Sequence, residues 1–159
     1  MSTVAVEVER TVDAPVDRVW AVFADLAARP RWLSTVESVE PLSTGEFGVG
    51  TAWRETRVVA DEARVVEELR VVACEPRHWV TLASPGIGAD YRMTYTFTAL
   101  ARSRTEVRIV LEGTPQGAAS RVLAILLGGL AARTVEGALR RDLDDLAAAA
   151  RAADQTTAP

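Results

Sequence analysis

The spacing of hydrophobic positions along the chain changes twice, and the changes divide it into three regions. In residues 4–12, Val4, Val6 and Val8 share one side and Glu7 and Glu9 the other, the pattern of a half-buried strand. Val16, Val19, Trp20 and Phe23 then recur at helical spacing behind Pro15, which is tolerated in a first turn because its missing N–H would have no partner there. Pro30 is expected to limit a second short helix near Asp25–Arg29, and Trp32 and Leu33 return the chain to the core. From Thr35 to Gly113 the period is two. Six strands are predicted near 35–41, 50–59, 63–74, 77–84, 89–100 and 104–112, separated by turn-forming stretches such as Ser43-Thr-Gly-Glu, Glu75-Pro76 and Ala101-Arg-Ser-Arg. Connections this short imply an antiparallel meander, since a parallel crossover needs about a dozen residues or more.

The third region, Ser120–Ala153, reads as one long helix with unlike halves. In its second half Ala132, Val135, Leu139, Leu143, Leu146 and Ala150 form an apolar stripe opposite Arg140, Arg141, Asp144 and Asp145. The eleven residues Val122–Ala132 are apolar all round, too few for a bilayer span of about 20. They either lie across a concave apolar surface, with Gly128 and Gly129 leaving room for a guest, or form a buried core helix with glycines at a tight contact. Strand, two short helices, six strands and a long helix make an α+β layer pair. Residues 1–153 are expected to be a single domain, with 154–159 a frayed tail.

Composition narrows the function classes. A chain of 159 residues with 48% hydrophobic and 25% charged residues can bury one full core and is not disordered. Its net charge of −4 supplies no general basic field for nucleic acid or an anionic membrane. The first residues hold neither a basic nor an apolar leader segment, so no secretory signal is expected and the cytoplasm is the expected location. Cys74 and His78 are the only cysteine and histidine, which leaves no zinc-ligand set and no intrachain disulfide. No calcium-type acidic loop, Gly-x-Ser-x-Gly or phosphate loop occurs, so neither metal nor cofactor is expected.

Four stretches carry a family likeness: Ala14-Pro-Val-Asp-Arg-Val-Trp-Ala-Val-Phe-Ala-Asp25 with Trp32, Gly48-Val-Gly-Thr51, Val71-Val-Ala-Cys-Glu-Pro-Arg77, and Tyr95-Thr-Phe-Thr-Ala-Leu100 before Arg104-Thr-Glu-Val107. In these the chain resembles the START-related, plant-allergen-like SRPBCC superfamily, most closely its polyketide cyclase/dehydrase and lipid transport branch. The resemblance implies a helix-grip fold, a curved seven-stranded antiparallel sheet wrapped around the long C-terminal helix, with a small apolar guest between them. No catalytic set carries over position by position, because the matching residues belong to the scaffold.

Strand parity then names the wall of such a chamber. Tyr91, Met93, Tyr95 and Phe97 share one face of their strand against Arg92, Thr94, Thr96 and Thr98. Val107, Ile109 and Leu111 are the matching set on the last strand, and His78, Val80 and Leu82 on the strand that begins near 77. Val65, Glu67, Leu69, Val71 and Ala73 form the more apolar parity of residues 63–74, and Thr51, Trp53, Glu55, Arg57 and Val59 that of residues 50–59. Ile125 and Leu126 would face the wall from the helix. On this assignment Glu55, Arg57 and Glu67 form a polar cluster inside an apolar chamber and orient a guest's polar end, with Glu68 and Arg70 on the solvated side. The alternative is that one strand has the opposite parity and the three charges lie outside.

Three functions suit these features. The first is binding or transport of a lipid, polyketide or isoprenoid-like molecule, with the Gly- and Pro-rich Ser84–Ala89 loop as a lid. The second is a polyketide aromatase/cyclase or dehydratase using the same chamber, with Glu67, His78 or Tyr95 moving the proton. The third is an interaction protein that presents Val122–Leu130 to a partner, a membrane surface or a second copy as a homodimer.

Overall fold

The computed structural model describes residues 3–58, 62–86, 89–115 and 129–157. Strand β1 (Thr3–Val12) leads into α1 (Val16–Ala24), a 3-10 turn (Leu26–Ala28) and α2 (Arg29–Trp32). Six strands follow: β2 (Val36–Pro41), β3 (Ala52–Val58), β4 (Arg64–Glu75), β5 (Trp79–Gly86), β6 (Ala89–Ala101) and β7 (Arg104–Pro115). Helix α3 (Gly129–Thr157) closes the chain. The alternating segments pair as one antiparallel sheet of seven strands, ordered β1-β7-β6-β5-β4-β3-β2, so only the β1–β7 pairing joins strands distant in sequence.

One sheet face and the two longer helices bury each other. Val8, Val71, Val80, Leu82, Phe97 and Ile109 point inward from the sheet, Val19 and Phe23 from α1, and Leu139, Leu143, Leu146 and Ala150 from α3. The apolar stripe read from the periodicity of α3 is thus the buried one. At the rim, Gly45 and Gly50 adopt φ of +98° and +93°, a backbone region open mainly to glycine. They let the β2–β3 loop turn back and lay Phe47 against Trp20, Phe23 and Trp53.

The structure corrects four expectations. Pro30 does not end a helix; it occupies the first turn of α2, where no N–H is needed. A register shift between Val71 and Ala73 adds a residue to β4, so Ala73 pairs with outward Thr81 while Cys74 pairs with inward Val80 and packs on the core. The Ser84–Ala89 lid is mostly strand, since β5 and β6 remain paired to Gly86 and Ala89. Residues 154–157, expected to fray, continue α3. The apolar run Val122–Leu130 lies largely outside the described residues, as do positions 87–88.

Candidate functional site

Register settles the parity of the polar cluster. Trp53, Glu55 and Arg57 of β3 lie opposite Leu69, Glu67 and Val65 of β4, all on the inner face. Glu55 is fully buried and directly faces Glu67, a like-charge pairing that is unfavourable without an intervening cation. Arg57 supplies it: Nε donates to Glu55 Oε1 at 2.8 Å and lies 3.6 Å from Glu67 Oε2.

Two further charged residues complete the network, and neither lies on the strand faces that parity singles out. Arg29, at the start of α2, is 2% exposed, with Nε 3.4 Å from Glu55 Oε2. Its guanidinium carbon lies 5.8, 5.8 and 5.5 Å from the ring centroids of Phe23, Trp32 and Trp53. Nε and Nη1 of Arg29 have no hydrogen-bond partner among the described residues, and aromatic faces surround the cation instead. Asp142 of α3 accepts from Arg57 Nη1 at 3.0 Å and from the Thr35 hydroxyl at 3.1 Å. The next turn repeats the attachment, since the backbone N–H and hydroxyl of Ser34 both donate to Asp145. These bonds tie α3 to β3 and to the α2–β2 connection, while Trp53 Nε1 fixes Glu55 through a 3.0 Å bond. Asp142 did carry a signal: it falls three residues after Leu139 and four before Leu146, on the apolar stripe itself. Arg29, beside Pro30 in a polar-looking segment, carried none.

The cluster contains the arginines Arg29 and Arg57 and the acids Glu55, Asp142 and Glu67, one carboxylate more than its cations neutralise. The surplus falls on the rim acid. Burial alone would raise the pKa of Glu55, but the charges of Arg29 and Arg57, with the bonds from Trp53 and Arg57, outweigh it and hold the carboxylate below its ordinary range. Glu67 is shifted the other way: desolvation raises its pKa, Arg57 only partly offsets this, and Glu55 and Asp142 add to it. Because 42% of the Glu67 side chain is exposed, solvent moderates that shift. Tyr95 is buried beside the network, and burial followed by the charge of Asp142 raises its pKa, which favours the protonated phenol.

A pH dependence follows for Glu55. Its folded-state pKa lies below the ordinary 4.5, so its stabilising contribution is complete above pH 4.5 and is lost as pH falls through the depressed value. Glu67 contributes with opposite sign, fully below pH 4.5 and decreasingly as pH rises through its raised value. Thermal melts from neutral to acid pH should therefore lose Tm below pH 4.5, and Glu55→Gln should flatten that limb while Glu67→Gln leaves it in place.

The inner wall grades from closed to open. Trp53, Leu69, Val80, Leu82, Tyr95, Phe97 and Ile109 are buried, whereas Glu67, Tyr91, Met93 and Leu111 on the same face are only half-buried. These four lie toward one end of the sheet, where β5 passes into β6 and β7 ends. His78 does not join them: it is exposed, in the turn after β4. Glu67 is eight residues from Glu75 along β4, a run of roughly 26 Å at 3.3 Å per residue, and His78 lies beyond that. Ile125 and Leu126 lie outside the described residues.

A curved antiparallel sheet closed by a long C-terminal helix is the helix-grip fold. The chain belongs to the family described as polyketide cyclase/dehydrase and lipid transport, which it matches over residues 3–151. It is similar in structure to a protein from Thermus thermophilus, with 24% identity, TM-score 0.71, and coverage of 93% of this chain and 97% of that one. The Zhui aromatase/cyclase from Streptomyces sp. R1128 has 20% identity and TM-score 0.71, covering 95% and 94% of the two chains. Norcoclaurine synthase from Thalictrum flavum has 18% identity and TM-score 0.70, covering 96% of each. At these identities the likeness is one of fold. No curated protein matches the sequence. Among the described residues, no helix is long and apolar enough to cross a membrane.

Proposed function

We propose that the protein binds a small, largely apolar molecule between the inner sheet face and α3. The guest enters where Met93, Tyr91 and Leu111 remain accessible and sets a polar group against Arg57 and Glu67. The observation that carries this reading is the half-burial of those inward-facing side chains at one end of a sheet whose inner face is elsewhere closed by Trp53, Val80, Leu82, Tyr95, Phe97 and Ile109, with Val65 exposed at the same end. Methionine and tyrosine make an adaptable apolar wall. Arg57 is 14% exposed, the more accessible of the two cluster arginines, and the surplus acid Glu67 is the more exposed of the two facing carboxylates. A guest hydroxyl or carbonyl would therefore meet a cation and a readily protonated carboxyl together. The family's name joins lipid transport with cyclisation and agrees with an apolar guest.

The test is a paired titration with a long-chain fatty alcohol and an alkane of equal length. Glu67→Gln is expected to weaken alcohol binding by up to about tenfold, a charge-assisted hydrogen bond's worth, and to leave alkane binding unchanged. Equal losses for both ligands, or none for either, contradict the proposed orientation.

One observation favours an enzymatic second reading, the raised pKa of Glu67. A carboxyl whose pKa burial raises, beside an arginine, suits proton transfer at a carbon next to a ketone, the step needed in polyketide cyclisation and dehydration. Turnover of a poly-β-ketone thioester that is abolished in Glu67→Gln, with binding retained, would establish it.

A further inference from the structure

The outer face of the sheet carries a second, unlike site. Arg70, Ala83 and Arg92 stand side by side on β4, β5 and β6, and Ala52 of β3 flanks Arg70 on its other side. A cavity of about 470 Å³ lies over this row, with Leu42 and Val72 among its apolar lining and Glu68 also lining it. The small side chains of Ala52 and Ala83 leave the hollow, and the two arginines rise beside it.

Arg70 and Arg92 form no hydrogen bond or ion pair among the described residues, although Arg54, Arg64 and Arg108 on the same face are all paired. Glu68 is engaged by Arg54 at 2.6 Å, and Glu112, which pairs with Arg92 in register, makes no ion pair with it. The nearest acids, Glu68 in the lining and Glu112 across from Arg92, form no ion pair with either arginine, so both guanidinium groups keep their donors available. Their strands are two spacings apart, roughly 9.5 Å, so two long side chains can converge on one group above Ala83. A guanidinium fork matches the oxygens of carboxylate and phosphate, and two forks match a dianion best.

We propose that this outer cleft binds a phosphate monoester, its phosphate held between Arg70 and Arg92 and its apolar body against Leu42, Val72 and the two alanines. A phosphate monoester carries about −1.5 to −2 at neutral pH, which balances the two guanidinium charges. The cavity also falls in the size range of small-molecule sites, about 300–1,000 Å³. Leu69 and Tyr91 also line the cleft, but Arg70 and Arg92 project from the face opposite to Trp53, Leu82 and Met93, so the phosphate position is distinct from the inner chamber.

Phenyl phosphate is the first probe, followed by calorimetry and by amide shifts in nuclear magnetic resonance spectra. Saturable binding that perturbs the amides of Ala83 and Arg92 is expected. Arg70→Gln and Arg92→Gln should each weaken it about tenfold or more. Both variants should keep the wild-type Tm and the uptake of apolar guests, since neither side chain has a partner to lose among the described residues. Phosphatidylcholine vesicles doped with phosphatidic acid give the second arm: tighter capture there than by phenyl phosphate, lost in the double variant, assigns the phosphate to a lipid headgroup. Benzoate binding as tightly as phenyl phosphate, no saturable shift at Ala83, or unchanged affinity in the double variant overturns the proposal. None of these outcomes bears on the inner chamber, so the two sites stand or fall separately.

Discussion

Replacing Glu55 by glutamine is expected to lower stability by about 3–5 kcal/mol, the usual cost of removing one partner from a buried ion pair. For a chain of this length that is a fall in Tm of roughly 6–20 °C. The substitution keeps the side-chain shape and an oxygen able to accept from Trp53, so it isolates the charge. It leaves Arg29 in an aromatic enclosure with no carboxylate, whereas Arg57 retains Asp142. Arg29→Met should therefore cost much less in the Glu55→Gln background than alone, and the double-mutant cycle should return a coupling of roughly 1–3 kcal/mol. The outward Glu68→Gln, which breaks only exposed contacts with Arg54, should cost no more than about 1 kcal/mol. A loss at Glu55 no larger than that at Glu68 would show that the buried network does not hold the inner face together.

Phe23→Ala is expected to be comparably damaging, at about 3–5 kcal/mol, through the cavity it leaves. Phe23 is 1% exposed, and its ring centroid lies 4.7 Å from that of Tyr95, 5.4 Å from Phe97 and 5.9 Å from Trp20 and Phe47. It is also one of the rings around Arg29. Its loss thus removes packing between α1 and β6 and one face of the cation's enclosure together. Chemical denaturation should show a lower midpoint at an unchanged m-value. A cost below about 1 kcal/mol would mean that α1 does not anchor the closed end of the sheet.

Much of this arrangement is legible in the sequence because period and parity are local. The alternation of Tyr91, Met93, Tyr95 and Phe97 predicts both the strand and its inner face. The same logic brings Trp53, Glu55 and Arg57 inward with Leu69 and Glu67, which the register confirms. Parity fails at Ala73, because the β4 bulge exists only in relation to β5, and nothing in residues 63–74 alone announces the extra residue. Arg29 is hidden for a different reason: its partners come from α1, α2 and β3, so its burial is a property of tertiary packing. Asp142 was visible as a polar residue on an apolar stripe. Its partner was not, because Arg57 lies 85 positions away. The outer cleft depends on cross-strand register, which aligns Arg70, Ala83 and Arg92 although no spacing in the sequence links them.

The central claim is that the space between the inner sheet face and α3 encloses an apolar guest. Native mass spectrometry of the purified protein, followed by denaturing extraction of whatever travels with it, addresses that claim most directly. The account predicts a copurifying or readily acquired apolar molecule that is lost in Met93→Asp, a variant whose folding is checked by its melt and circular dichroism. A protein that carries nothing and takes up neither fatty acids nor aromatic polyketides, or one that binds them equally well with aspartate at position 93, would contradict it.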